Sequence, residues 1–166
     1  MTGTEYGLIY DVEVQFGNQS FILLADTGSS DTWVVRAGFR CIDKADSSEL
    51  KPEDCQYGTT YDPPDNLAPV DNQTFSLQYG TGIAMGVVGF KDVTLASITV
   101  HNQTVGVVDS TTDVGDGLIS GIPGLGYPPL TSAHPGTNYP NDSLLLDRAR
   151  YDLLVTTMLK RGLVEP

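Results

Sequence analysis

At 166 residues, 40% hydrophobic and 18% charged, the chain is long enough for one domain with a packed core. A net charge of −12, with Lys and Arg never clustered, weighs against nucleic acid as a partner. No apolar run approaches a membrane span, and no basic, apolar-centred leader opens the chain, so Met1-Thr2-Gly3 reads as an expression start or the edge of a processed chain.

Taken in order, Tyr10 to Phe16 alternates strictly, with Tyr10, Val12, Val14 and Phe16 on one face and Asp11, Glu13 and Gln15 on the other. That pattern predicts a half-exposed strand. Gly17-Asn18 supplies a two-residue hairpin turn, and Ser20 to Ala25 returns along the first strand. The run Phe21-Ile22-Leu23-Leu24-Ala25 ends on Asp26 and is followed by Thr27-Gly28-Ser29-Ser30, then by Trp33-Val34-Val35. An apolar run bounded by a Gly/Ser cluster reads as a strand buried on both faces. Such a strand brings Asp26 to a place where a charge is costly unless hydrogen bonds or a second ionisable group share it. Gly28 permits the sharp turn, and Thr27, Ser29 and Ser30 bring short donors to the carboxylate.

From Ala37 to Thr74 the composition shifts to Pro, Asp, Ser and Asn, which predicts a long surface excursion. It holds both cysteines, Cys41 and Cys55. A disulfide is the favoured reading and two free thiols the alternative; a metal site would need further ligands, and His101 and His134 are remote in sequence. Asn18, Asn72, Asn102 and Asn141 each begin an Asn-x-Ser/Thr triplet and are glycosylation candidates. With the cysteine pair they favour an oxidising, secretory setting. Phe75, Leu77 and Tyr79 alternate, Gly80-Thr81-Gly82 breaks the strand, and Ile83 to Phe90 resumes it, so a hairpin with a bendable tip is expected. Val93 to Val108 supplies two more β-rich segments around Asn102, and Gly117 to Pro128 mixes small and apolar residues. Asp142 and Ser143 are N-cap candidates for a helix carrying Leu146, Ala149, Leu153, Leu154 and Met158, with Lys160 and Arg161 in its last turn and Gly162 as its stop.

The string Asp26-Thr27-Gly28-Ser29-Ser30, with apolar residues before it and Trp33-Val34 after it, resembles the catalytic segment of the pepsin-like aspartic proteases. Tyr79-Gly80-Thr81-Gly82 is similar to the flap that closes over substrate in that family. The stretch Gly117 to Pro128 resembles the apolar-apolar-Gly loop crossing behind the catalytic turn, with Ser120 where the family has Asp and Pro123 where it has an aliphatic residue. The resemblance implies a mostly β fold, a six-stranded barrel-like lobe with a flap hairpin and one C-terminal helix. It runs from about Tyr6 to Val164 and covers the N-terminal lobe alone, so residues 1–166 are expected to be that lobe, with the C-terminal lobe absent from the chain.

The activity so implied is endopeptidase hydrolysis by a water held between two aspartates that share a proton. Asp26 would be the catalytic member here, with Thr27 bracing it and Gly28 and Ser29 lining the cleft. Tyr79, bonded to Trp33, would hold the flap while Gly80 and Thr81 touch the substrate backbone, with Ser30 and Gly82 in support. No second Asp-Thr-Gly or Asp-Ser-Gly exists; Asp116-Gly117 lacks the hydroxyl residue and the preceding strand. The implied partners are a protein or peptide substrate and a C-terminal lobe or second chain giving the other aspartate. No cofactor or metal is implied, and the setting is secreted or an acidic, lysosome-like or vacuolar compartment. Two rivals stay open: a self-paired homodimeric protease and a non-catalytic peptide-binding module on the same fold. Serine or cysteine catalysis finds no support, since neither histidine lies in a nucleophile motif.

Overall fold

The computed structural model describes residues 2–4, 9–62, 67–80, 82–112, 115–136 and 148–165. Among these residues ten strands form one sheet: β1 (Thr2–Thr4), β2 (Ile9–Phe16), β3 (Gln19–Leu24), β4 (Thr32–Ile42), β5 (Glu49–Leu50), β6 (Ala68–Gln78), β7 (Ile83–Leu95), β8 (Ile98–Thr111), β9 (Gly121–Pro123) and β10 (Ala133–Pro135). The single α-helix among the described residues is α1 (Leu154–Lys160). The main path runs β1-β2-β7-β8-β4-β5, with β3 on β2, β6 on β7, β9 on β4 and β10 on β6. The mostly β, pepsin-like character expected from the sequence is present. The sheet has more strands than the six expected and does not close into a barrel.

Local chemistry explains most of the hairpins. Gly17 takes φ 62° at the β2–β3 turn, and Phe16 pairs with Gln19 across it. The β7–β8 turn falls instead at Ala96-Ser97, both with positive φ (50° and 67°), where no Gly or Asn announces it. Asn102, expected between two segments, lies inside β8 in a left-handed bulge (φ 51°), beside a register shift in the β7–β8 pairing.

Two apolar clusters share strand β4. Val34 faces one, with Val14, Phe16, Phe21, Leu23, Val107 and Leu154; Trp33 and Val35 face the other, with Phe39, Phe75, Leu77, Val108 and Ile122. The doubly buried strand is therefore β4 rather than the run before Asp26. In β3 Phe21 and Leu23 are fully buried, while Ile22 and Leu24 remain partly exposed. The two clusters cover the two faces of β4, and its edges are paired, parallel to β8 (Trp33↔Gly106) and antiparallel to β9 (Trp33↔Ile122). In β2 the alternation holds for Val14 and Phe16, but Tyr10 is half exposed and Asp11 is buried.

The expected surface excursion is anchored in the core at several points. β4 continues to Ile42, and Phe39, Cys41, Cys55 and Tyr61 are buried. Tyr61 bonds Val35 and Ala37 through its backbone and packs against Phe16 and Phe21 at ring distances of 6.3 and 6.1 Å. Cys41 and Cys55 form a disulfide across the loop.

The helix is shorter than its apolar periodicity suggested. Ala149 forms an antiparallel bridge with Ala133, and its carbonyl accepts the Thr131 hydroxyl, so the chain stays extended until Leu153. Tertiary partners for residues 149–151 outcompete local helix formation there. Leu154 and Met158 then bury against the first cluster, and Gly162 ends the helix at φ 66°. Asp142, Ser143 and Leu146 lie outside the described residues.

Candidate active site

Asp26 sits just past β3, half-buried, at the edge of the sheet where two chain segments cross. Its Oδ1 accepts the Gly28 N–H at 2.8 Å, so the carboxylate folds back over its own turn. The crossing segment, residues 123–126, is stitched to that turn by backbone bonds: Gly124 N–H to Asp31 carbonyl (2.9 Å), Leu125 N–H to Asp26 carbonyl (2.7 Å) and Gly126 N–H to Ser29 carbonyl (2.8 Å). Close approach explains the glycine at 124, where a Cβ would lie 2.4 Å from the Ser30 carbonyl carbon and 2.6 Å from the Asp31 nitrogen. The Ser30 hydroxyl adds a 2.6 Å bond to the Tyr127 carbonyl. Ser120 and Pro123, the two departures from the family pattern, leave the crossing intact because it is built from main-chain groups, their own carbonyls among them: Ser120 accepts the Val35 N–H and Pro123 the Asp26 N–H.

Thr27 and Gly28 are exposed and Ser29 and Ser30 buried. Thr27 thus faces outward, where the resemblance implied a brace behind the carboxylate. The β6–β7 hairpin closes through the Tyr79 N–H on the Gly82 carbonyl at 2.7 Å. The Trp33 indole N–H donates to the Tyr79 hydroxyl at 2.9 Å, the rings 6.4 Å apart. Burial raises the Tyr79 phenol well above its ordinary value, and the carboxylates of Asp31 and Asp26 push the same way, so it stays a neutral hydroxyl. Thr81 lies outside the described residues, as does Asn141; Asn18, Asn72 and Asn102 are all exposed.

Asp116, the other Asp-Gly, is occupied with its own loop, its Oδ1 accepting the N–H groups of Leu118 and Ile119, both at 2.9 Å. His101 pairs at 2.8 Å with Asp92 on the exposed surface, and buried His134 meets the Ser76 carbonyl at 3.1 Å through Nε2, which therefore carries the proton. Among the described residues no three His, Cys, Asp or Glu side chains converge closely enough to hold a metal ion, and no helix is long and apolar enough to cross a membrane.

Sequence reasoning passed over Asp31. Fully buried five residues after Asp26, its Oδ1 takes a very short bond from the Tyr151 hydroxyl and the Ser132 N–H at 3.1 Å. Desolvation raises its carboxyl above the usual range, with those two donors opposing. The available signal was a carboxylate set between Ser30 and Trp33 at the start of an apolar strand.

The eukaryotic aspartyl protease family model matches residues 9–164. The chain belongs to that family. A protein of Aspergillus fumigatus named "Probable aspartic-type endopeptidase" is 40% identical over 161 residues, covering 96% of this chain and 35% of its own length. Gastricsin of Rattus norvegicus is 35% identical over 127 residues, covering 74% of this chain and 30% of its own. The aspartic proteinase from Irpex lacteus superposes with a TM-score of 0.65 at 25% identity, across 95% of this chain and 38% of that one. This aspartyl protease chain thus spans about a third of the length of these relatives.

Proposed function

We propose that residues 1–166 are the N-terminal lobe of an aspartic endopeptidase and that Asp26 is one of its two catalytic carboxylates. The observation supporting this is the crossing of residues 123–126 behind Asp26, which fixes the carboxylate through backbone bonds while leaving the Thr27-Gly28 side of the turn open. A second carboxylate, from a C-terminal lobe or another chain, completes the site. Two carboxyls at short range cannot both ionise, so one retains a proton. The ionised member takes a proton from the water as it attacks the scissile carbonyl, and the protonated member donates to the developing oxyanion. Gly28 and Ser29 line the substrate side of the turn. Tyr79, held on Trp33, sets the flap over it, with Gly80 and Thr81 toward the substrate backbone and Gly82 as a bend. Peptides are the substrates, acid pH the working range, and a secretory or acidic compartment the setting, in keeping with the disulfide and the exposed Asn-x-Ser/Thr sites.

The deciding experiment is Asp26→Asn in the assembled enzyme. The substitution keeps volume and removes the base, so hydrolysis of a peptide at acid pH should fall on the order of a thousandfold or more, with Tm nearly unchanged. Activity within a few-fold of wild type would remove Asp26 from the catalytic pair.

A further inference from the structure

We infer that Lys44 is a positioning residue for the flap tip. Its Nζ donates to the Gly80 carbonyl at 3.2 Å, a contact between two segments 36 residues apart. The inference rests on reading residues 79–82 as a substrate-side flap.

Among the described residues, few bonds hold the tip from within. Beyond Gln78 and Ile83 its closing bond is the Tyr79 N–H on Gly82, and Gly80 is exposed, with open space where a Cβ would be. The turn that presents Lys44 is, by contrast, heavily bonded. The Asp43 N–H and carbonyl bond Ser48 and Ser47 at 2.8 and 2.9 Å, the Asp43 carboxylate accepts the Ala45 N–H at 2.7 Å, and the Asp46 carboxylate accepts the Ser48 N–H at 2.9 Å. Its base is fixed by the Cys41↔Leu50 and Ile42↔Glu49 pairs and by the Cys41–Cys55 disulfide. A cavity of about 240 Å³ separates turn from tip, lined by Asp43, Ser47, Gln78, Tyr79 and Ile83, and Lys44 also lines it. The tip is therefore not packed onto the turn; the lysine reaches across. Two tethers result, Trp33 on the Tyr79 hydroxyl from the core side and Lys44 on the Gly80 carbonyl from the disulfide loop. A cation on a carbonyl is a charge-assisted bond, but exposure and side-chain entropy keep its strength modest, which suits a tip that must also release.

The test is amide hydrogen exchange on the native chain, read at Tyr79 and, as a control, at the Val107 amide in β8. Lys44→Met should speed exchange at Tyr79 about fivefold, with Val107 unchanged, and Lys44→Arg should restore wild-type protection. Equal protection at Tyr79 in wild type and Lys44→Met overturns the inference, as does loss spread equally to Val107. In the assembled enzyme Lys44→Met should raise KM and leave kcat within about twofold. Faster exchange at Tyr79 with KM unmoved upholds Lys44 as the tether and instead overturns the flap reading.

Discussion

Asp31 is a carboxyl whose cost and partners can both be named. Burial favours its neutral form, so the folded chain binds a proton there more tightly than the unfolded chain, whose Asp31 titrates near its ordinary value of 3.8. The raised folded value makes this contribution fully present below about pH 3.8 and lost as pH rises through the folded value. The fold is thus favoured in acid by this residue, in keeping with the acid working range proposed above. Asn at 31 keeps an Oδ1 for Tyr151 and Ser132 without the charge. Asp31→Asn should therefore raise stability at neutral pH and flatten the fall of Tm as pH rises above about 4. Thermal melts across that range check it; an unchanged slope would show that Asp31 does not control it. Tyr151→Phe removes the short bond and should destabilise at every pH above 4, by about 1–3 kcal/mol.

The segment that matters most at the next scale is 123–126, because it converts a flexible turn into a fixed one. Its contact with the Asp26 turn is main chain on main chain, so side-chain volume is excluded. Gly124→Ala places a methyl into the Ser30–Asp31 backbone and should cost about 1–3 kcal/mol in urea unfolding. Gly80→Ala is the internal control, since nothing lies within 4 Å of a Cβ there, and it should unfold within about 0.5 kcal/mol of wild type. Equal costs at the two positions would mean that the crossing does not constrain the turn. The flap hairpin behaves differently: its strands are pinned to each other and by β10 on β6 and β8 on β7, while its tip is bonded through Tyr79 and Lys44.

For the whole molecule, the exposed apolar side chains around residues 118–130 bear on the two-lobe proposal. Tyr127 is 79% exposed, and Leu118 and Leu130 are each 46% exposed, on segments flanking the loop that crosses behind Asp26. Exposed apolar side chains on those segments suit coverage by the second lobe proposed above. The chain alone, shown monomeric at the assay concentration, should cleave no peptide at acid pH, and it should self-associate as concentration rises. Light scattering coupled to a peptide assay decides the matter. Cleavage by a monomer would contradict the two-lobe proposal, and cleavage tracking a homodimer would favour self-pairing.

By itself the sequence determined the features carried by adjacent residues: the Gly17-Asn18 hairpin, the Asp26 turn, the break at Gly80-Thr81-Gly82 and the family to which these strings belong. The cysteine pair was legible too, because only two cysteines exist to be joined. Tertiary structure alone decided the rest. Which apolar strand is buried twice depends on the clusters that cover both faces of β4, with partners more than seventy residues away such as Val107 on one face and Val108 on the other. The helix start moved to Leu154 because Ala149 found Ala133 and Tyr151 found Asp31, partners that no local period encodes. Tyr61 was hidden among prolines and aspartates yet packs against both Phe16 and Phe21. Short-range patterns fix turns and strand faces because those depend on backbone dihedrals and alternation, whereas burial and register are settled by the summed contacts of segments distant in the chain.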